Sequence, residues 1–167
     1  GYICDSPIAR YACVKNEDLK ILPEYVANDK YGFVLRKDSE SNKLLAEINT
    51  AINEFKTKGI LADLEKKWFD PEGGSKTVTP QQIYGARPVE ISTTAVLEPM
   101  NFVGPKGEIE GFELDLLYRI GDAIGISFVC NQVYGDVSGL LGALESGKID
   151  LAFNTMSITN ERKEKYN

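Results

Sequence analysis

The stretch that decides the fold is DVSGLLGALESGKIDLAFNTM, residues 136–156. Its first half begins at Asp136, a residue type that often caps helices, and then places four apolar residues on one helical face: Val137, Leu140, Leu141 and Leu144. Gly147 marks a turn, and residues 149–156 are apolar enough for a buried strand. The stretch therefore predicts a helix that leads into a strand of an α/β sheet.

The same alternation of strand and helix extends upstream. Residues 89–93 and 126–133 are predicted strands, and the helix between them ends at Gly125. That helix has five apolar residues on one face: Phe112, Leu116, Leu117, Ile120 and Ile124. Residues 159–167 begin a last helix. The order βαβαβ predicts a parallel sheet with right-handed crossovers and helices on both faces.

The N-terminal part of the chain has its own signals. Strands are predicted at residues 2–4, 19–22 and 31–36, and a short helix follows Asp5. Two further helices carry apolar faces: Leu44, Leu45, Ile48, Ile52 and Phe55 in the first, and Ile60, Leu61, Leu64 and Trp68 in the second. From residue 70 to 88 this pattern lapses, which predicts a linker between two modules. The linker is marked by Pro71, Gly73, Gly74, Ser75, Pro80 and Pro88.

The composition is that of a globular protein and excludes several functions. The 167 residues include 25 acidic and 19 basic side chains, a net charge of −6 that argues against a nucleic-acid partner. Histidine is absent, which excludes Ser-His-Asp and Cys-His pairs as well as histidine-ligated metal. No cofactor is expected. The three cysteines, Cys4, Cys13 and Cys130, lack a CxxC spacing and are predicted to be small buried thiols.

Three motifs follow one another in order: GFELDLL at 111–117, LLGALESGKIDL at 140–151 and MSITNER at 156–162. Together they closely resemble the first lobe of bacterial extracellular solute-binding proteins, family 3, the polar amino acid type. Residues 2–7 resemble the last strand and helix of the second lobe in that family. Residues 31–36 resemble its returning hinge strand, and residues 47–69 its C-terminal helices. The resemblance implies the periplasmic-binding-protein-like II fold, here mainly one lobe with a parallel sheet and helices on both faces.

The segments occur in inverted order, because the family begins with the GFE segment and ends with the Lys-Trp-Phe segment. Two explanations fit this order. Either one binding domain ends before the linker and a tandem second copy begins after it, or the chain is permuted. Tandem copies are the simpler explanation. Both ends of the chain are expected to be cuts in a longer protein. The tandem interpretation assigns residues 1–20 to a remnant of a second lobe, 21–69 to the hinge strand and C-terminal helices of a first lobe, 70–88 to the linker, and 89–167 to the N-terminal part of the next copy. One lobe core is then expected from 31–69 and 89–167, either within one chain or by segment swapping in a homo-oligomer.

The resemblance also implies ligand-binding residues. Arg162 matches the carboxylate-binding arginine, Ser157 the hydroxyl and amide beside it, and Thr155 a backbone ligand position. Arginine suits a carboxylate because its planar guanidinium can donate two charge-assisted hydrogen bonds. From composition alone, residues 161–165 would instead be a solvated charged run with Thr159 as a plain helix cap.

Four further positions follow from the same resemblance. Asp5 resembles the second-lobe aspartate that accepts the ligand's ammonium, and it equally fits a helix N-cap. Thr94 stands where the family has an acidic or polar residue that contacts the ligand side chain. Leu97 and Val137 occupy positions that are usually aromatic, and both also fit ordinary core or wall packing. These aliphatic residues argue against a large cationic or aromatic ligand. On the tandem interpretation Asp5 and Arg162 belong to different sites.

We therefore expect a binding protein and not an enzyme. The resemblance implies an extracellular, cell-surface or periplasmic amino-acid receptor that serves the permease of an ABC importer and is membrane-tethered in the full-length protein. The alternative is the ligand-sensing ectodomain of a membrane kinase or cyclase, which tandem copies suit equally. An enzymatic role is not favoured, because no paired carboxylates stand at the predicted strand ends. Since one lobe offers half a cleft, this chain alone is expected to bind amino acids weakly or not at all.

Overall fold

The structure is a computed structural model that describes residues 1–70, 73, 76–82, 85 and 88–167. The helices are α1 (Ser6–Lys15), α2 (Ser39–Thr57), α3 (Ile60–Phe69), α4 (Phe112–Ile124), α5 (Val137–Glu145) and α6 (Asn160–Lys165). The strands are β1 (Tyr31–Leu35), β2 (Val89–Ser92), β3 (Val96–Leu97), β4 (Asn101–Val103), β5 (Ile109–Glu110), β6 (Phe128–Val129) and β7 (Leu151–Ser157). Among the described residues, no helix has the length and apolar character needed to span a bilayer.

A four-stranded sheet in the order β1-β7-β2-β6 organises the fold. Strand β2 pairs in parallel with both β6 and β7. Strand β1 pairs with β7 in the antiparallel direction, with Tyr31 opposite Ser157 and an irregularity between Gly32 and Val34. The strands of the predicted βαβαβ unit are thus parallel, and β1 adds an antiparallel strand at the edge of the sheet. This strand joins the edge of the sheet from a separate segment and is not part of a βαβ crossover, which is what makes strands parallel.

Helices cover both faces of the sheet, which confirms the predicted α/β class. On one face α2, α3 and α4 pack around the fully buried Trp68. On the other face α5 packs against the sheet. Successive residues of the strands alternate between these two cores: Leu35 and Phe153 belong to the first, and Val34 and Ala152 to the second. This alternation follows from the period of two along a strand.

Residues 31–69 share one core with the sheet, as expected for a single lobe. Helix α3 is joined to α4 by polar bonds as well as by apolar packing. Trp68 Nε1 donates a hydrogen bond to Asp115 Oδ2 at 3.0 Å, and Lys67 Nζ lies 2.5 Å from the same oxygen. Burial would raise the pKa of Asp115, but the bonds from Lys67 and Trp68 hold it below its ordinary value.

The described part of the predicted linker is bonded to the sequence that follows it. Thr79 N donates to Asp115 Oδ1 at 3.3 Å. The Gln81 side chain donates to Ile126 O at 2.5 Å and accepts from Phe128 N at 2.8 Å. Three residues that mark the linker lie outside the described residues: Pro71, Gly74 and Ser75. Residues 76–82 are therefore attached to the α4–β6 region.

Several short predicted strands are wrong. Residues 2–4 and 19–22 are irregular and exposed, because a short apolar run becomes a strand only where a neighbouring strand pairs with it. The strand predicted at 126–133 is reduced to β6 and an isolated bridge between Thr93 and Val133. In contrast, β3, β4 and β5 form an additional antiparallel sheet between β2 and α4, where no strand was predicted.

The prediction of buried thiols is wrong for Cys4, which is exposed in the irregular segment before α1. Cys13 and Cys130 are half-buried and, like Cys4, form no disulfide. Cys4 is exposed because the strand predicted around it has no sheet to join.

Candidate ligand-binding site

Polar side chains collect where β2 ends beside the second half of β7, near the edge at which ligands bind in open α/β sheets. Thr93 and Thr94 follow β2, and Asn154 lies in β7. Asn154 Oδ1 accepts hydrogen bonds from Thr93 Oγ1 at 3.1 Å, Thr94 N at 3.2 Å and Thr94 Oγ1 at 2.6 Å. The predicted ligand contact Thr94 is thus buried and bonded to Asn154, a residue that the sequence reasoning missed.

Two residues with a Cβ atom adopt left-handed backbone beside this polar group. Ala95 has a φ of 52° and Thr155 a φ of 51°. Such conformations cost on the order of 1 kcal/mol or more and are found preferentially at functional sites. The predicted ligand residue Thr155 is one of them. Its conformation is held by a hydrogen bond from Thr155 N to Glu113 Oε1 at 2.8 Å.

Glu113 is a buried carboxylate in contact with Thr155. Glu113 Oε2 accepts from Asn101 Nδ2 at 2.6 Å and from Thr155 Oγ1 at 3.2 Å. Burial raises the pKa of Glu113 to about 7, although these hydrogen bonds act in the opposite direction. From the sequence, Glu113 was noted only as part of the GFELDLL motif and was not predicted as a site residue. The available signal was a pair of carboxylates, Glu113 and Asp115, in the first turn of a largely apolar helix.

Arg162 is half-buried in α6. Its backbone N donates to Thr159 Oγ1 at 3.2 Å, so Thr159 is a helix cap. Its Nη1 donates to Ser157 O at 2.8 Å. Arg162 and Ser157 both line a cavity of about 650 Å³. Within the described residues, no carboxylate forms an ion pair with the guanidinium.

Asp5 stands at the start of α1, but its side chain makes no capping hydrogen bond. The Asp5 carboxylate instead lies close enough to the Tyr31 hydroxyl to raise its pKa. Burial raises the pKa of Tyr31, and the neighbouring carboxylates of Asp5, Asp29 and Glu113 raise it further. Tyr31 lies opposite Ser157 in the sheet, and Ser157 Oγ donates to Asp29. The structure therefore brings Asp5 to the neighbourhood of Ser157.

The two aliphatic candidates are not brought together. Leu97, in β3, is half-buried and packs on the core around Trp68. Val137 begins α5 and packs on the core of the opposite face. Asp136 caps α5 as predicted, because its side chain accepts from Gly139 N at 2.7 Å. The positions of Leu97 and Val137 agree with the core or wall packing that was left open for both.

Glu113 connects the two polar groups of the site. It lines the same cavity as Arg162 and Ser157, and it bonds to Thr155 beside Asn154. The site therefore contains a cationic group, Arg162, and several carboxylates near Tyr31: Asp5, Asp29 and Glu113. No group of three or more potential metal-ligating residues that could hold an ion occurs in the part of the chain that the structure describes.

Comparison with known proteins finds similarity to a family of binding proteins. Residues 89–167 match the family model of the bacterial extracellular solute-binding proteins, family 3. The match confirms the resemblance over residues 89–167, which are just under half of the chain. The family is one of solute-binding proteins and not of enzymes, in agreement with the expected binding role.

Two curated relatives and one solved structure illustrate the similarity. The chain is 32% identical over 68 residues to the L-cystine-binding protein TcyJ of Escherichia coli K12, covering 41% of this chain and 25% of the relative. It is 35% identical over 77 residues to the L-arginine-binding protein of Pseudomonas aeruginosa, covering 46% of this chain and 29% of the relative. An ancestral arginine-binding protein bound to arginine matches with a TM-score of 0.43 and 33% identity, covering 47% of this chain and 34% of that chain. The matches thus span 25–29% of the two curated relatives.

Proposed function

We propose that this chain is part of an extracellular receptor that binds an amino acid for uptake by an ABC importer and is tethered at the cell surface or in the periplasm. Arg162 carries the proposal. It is half-buried, lines the 650 Å³ cavity and has no carboxylate partner among the described residues. The names of the two curated relatives, which bind cystine and arginine, support a ligand with a carboxylate beside an ammonium.

The ligand carboxylate is proposed to bind Arg162. A carboxylate that leaves water needs charge-assisted hydrogen bonds to offset its desolvation. One guanidinium nitrogen is already bonded to Ser157 O, which fixes the plane of the group. The other N–H groups can then pair with both oxygens of a carboxylate. In this arrangement Ser157 acts by orienting Arg162.

The ligand ammonium is proposed to lie near Tyr31 and Thr155. Three carboxylates, Asp5, Asp29 and Glu113, are close enough to the Tyr31 hydroxyl to raise its pKa. An ammonium is stabilised by the same negative surroundings. The strained Thr155 backbone at the end of β7 would add a carbonyl acceptor.

The residues proposed to face the ligand side chain give little charge selectivity. Thr94 is bonded to Asn154, and Leu97 and Val137 are aliphatic. None of them supplies a charge or an aromatic face for a cationic or aromatic side chain. We therefore favour a ligand with an uncharged, non-aromatic side chain.

We further propose that the lobe is assembled from residues 21–69 and 89–167, with 1–20 derived from a second lobe. The mixed sheet supports this assembly, because β1 from the first segment pairs with β7 from the second. Receptors with two lobes close on the ligand by a hinge motion. Full affinity is therefore expected of the full-length protein and not of this chain alone.

Calorimetric titration of the full-length protein with the common amino acids and cystine tests the proposal. We expect Arg162→Ala to weaken binding by about 30-fold or more, because the ligand carboxylate loses its desolvated partner. Lys165→Ala is the matched control, since Lys165 is an exposed cation of the same helix that pairs with Glu145. The proposal fails if no amino acid binds or if Arg162→Ala binds as tightly as the wild type. Micromolar binding by the present chain alone would refute the half-cleft assignment.

A further inference from the structure

Asn101, the first residue of β4, is a fully buried amide that lies between Glu113 and Thr93. Its Nδ2 donates a hydrogen bond to Glu113 Oε2 at 2.6 Å. Its Oδ1 accepts a hydrogen bond from Thr93 Oγ1 at 3.0 Å. Because none of its surface is accessible, Asn101 can affect a ligand only through the residues that it contacts.

Each of these two partners holds one of the residues with left-handed backbone. Glu113 Oε1 accepts from Thr155 N at 2.8 Å, and Thr93 Oγ1 accepts from Ala95 N at 3.3 Å. Both Thr155 and Ala95 have a positive φ, a conformation that persists only where the surrounding structure enforces it. Asn101 therefore joins the two side chains that accept from these strained positions.

The chemistry of the partners requires an amide at position 101. An ionised carboxylate such as that of Glu113 can only accept, so the group that faces it must donate. The hydroxyl of Thr93 accepts from Ala95 N and has one proton left to donate, so the group that faces it must accept. Asparagine supplies the donor and the acceptor in one planar group, whereas aspartate or leucine of similar size does not.

The backbone keeps Asn101 and Glu113 together independently of their side chains. Glu113 N donates to Met100 O at 3.0 Å, which fixes the start of α4 against β4. At Gly111 the two segments approach so closely that an added Cβ would lie 2.3 Å from Met100 O. A change of the Asn101 side chain therefore alters the hydrogen bonds without separating the two segments.

We propose that Asn101 is a positioning residue of the ligand site, which couples the left-handed backbones of Ala95 and Thr155 to each other. The inference rests on the proposed function, because Thr155 and Thr94, the neighbour of Ala95, are proposed ligand contacts. Loss of the amide at position 101 should alter both backbones at once. It should thereby weaken ligand binding, although Asn101 itself does not touch the ligand.

The test exchanges the donor and the acceptor at positions 101 and 113 of the full-length protein. Asn101→Asp keeps the size of the side chain but places a second carboxylate against Glu113, where like charges repel. At pH 8 it should weaken binding by about tenfold or more, in calorimetric titrations with each common amino acid and cystine. In the double variant Asn101→Asp/Glu113→Gln, the introduced amide can donate to the introduced carboxylate and still accept from Thr155 N. It should recover binding to within about threefold of the wild type, which a general loss of packing would not allow.

Asn131→Asp is the matched control. The Asn131 side chain also donates to a glutamate, with Nδ2 3.2 Å from Glu90 Oε2, but Asn131 is exposed. It should leave the affinity unchanged.

Nuclear magnetic resonance reads the two backbones directly in the present chain, without a ligand. The carbon chemical shifts of Ala95 and Thr155 should both change in Asn101→Asp, both return in the double variant, and stay unchanged in Asn131→Asp. Thr93→Val removes the hydroxyl bonded to Asn101 and serves as the second variant if Asn101→Asp does not fold. It should change the shifts of Thr155 as well as those of Ala95. Circular dichroism verifies that each variant is folded.

Several results would overturn the proposal. If Arg162→Ala weakens binding and Asn101→Asp does not, the proposed function stands and the role of Asn101 fails. A change at only one of Ala95 and Thr155 would refute the coupling, and so would a double variant that binds as weakly as Asn101→Asp. If the wild type binds no amino acid, the proposed function and the role of Asn101 fail together.

Discussion

Glu113 should make the stability of the fold decrease as the pH rises through neutrality. Burial raises its pKa to about 7 in the folded protein, compared with an ordinary value of 4.5. Between these two values the folded protein keeps a proton that the unfolded chain has released, so the free energy of unfolding falls as pH increases. A pKa difference of about 2.5 corresponds to roughly 3 kcal/mol, at about 1.36 kcal/mol for each pH unit.

The substitution Glu113→Gln keeps the size of the side chain and removes the titration. We expect the wild type to lose about 2.5 kcal/mol of unfolding free energy between pH 5 and pH 8, and the variant to have a nearly flat profile. The glutamine side chain of the variant would still accept from Thr155 N, but its amide would face the Asn101 amide. The variant should therefore be less stable than the wild type at pH 5 by about 1–2 kcal/mol. The carboxyl groups of Asp115 and Glu98 have lowered pKa values and titrate below this range.

Urea denaturation at a series of pH values measures this effect, followed by the fluorescence of Trp68, the one tryptophan of the chain. Trp68 is fully buried, so its emission reports the loss of the core. Glu161→Gln is the control, because Glu161 is an exposed glutamate in α6. A wild-type profile that is flat or rises between pH 5 and 8, or an equal slope in Glu113→Gln, would refute the role assigned to Glu113.

Two further predictions concern a helix cap and the thiols. Asp38→Ala should lower the urea midpoint of unfolding, because Asp38 Oδ1 accepts from Ser41 N at 2.7 Å at the start of α2; an unchanged midpoint would contradict this cap. Cys4 should react quickly with a chromogenic disulfide reagent at pH 8, whereas Cys130 should react slowly, because burial raises the pKa of its thiol to about 12. Cys4→Ser should then remove a fast phase and Cys130→Ser a slow one, and the reverse assignment would count against the structure.

The helices could be predicted because their signals are local. The apolar spacing and Gly125 located α4, and Gly125 has the left-handed φ of 73° typical of a helix C-terminus. Asp136 located the start of α5 in the same way. In each case the residues that decide the structure lie within a few turns of one another. Helix prediction therefore needed no knowledge of the tertiary fold.

The short strands could not be predicted because their partners are distant in sequence. Residues 19–22 and 31–36 have similar apolar runs, yet only the second forms a strand. What separates them is the pairing of β1 with β7, more than a hundred residues further along the chain. Local propensity does not contain that information.

The contacts of the candidate site likewise differ in how far apart in sequence their residues lie. Ser157 and Arg162 are five residues apart, and their contact follows from the turn between β7 and α6. The contact of Glu113 with Thr155 joins two segments 42 residues apart, and neither residue's chemistry signals the other. The family resemblance predicted Thr155 as a ligand position, but it gave no reason to predict a role for Glu113. The fold was needed to show that they form one unit.

The bond between Glu113 and Thr155 links the stability of the fold to the geometry of the proposed site. The ionised carboxylate is a better acceptor than the neutral acid, so it holds Thr155 N in the left-handed conformation more firmly. The same ionisation lowers the free energy of unfolding, because the charge is buried. Raising the pH through about 7 therefore lowers the free energy of unfolding, and it strengthens the hydrogen bond from Thr155 N to Glu113. A hydrophobic residue at position 113 would avoid this cost, but it would leave Thr155 N without an acceptor. The buried glutamate is thus best explained by the backbone conformation that it maintains at the end of β7.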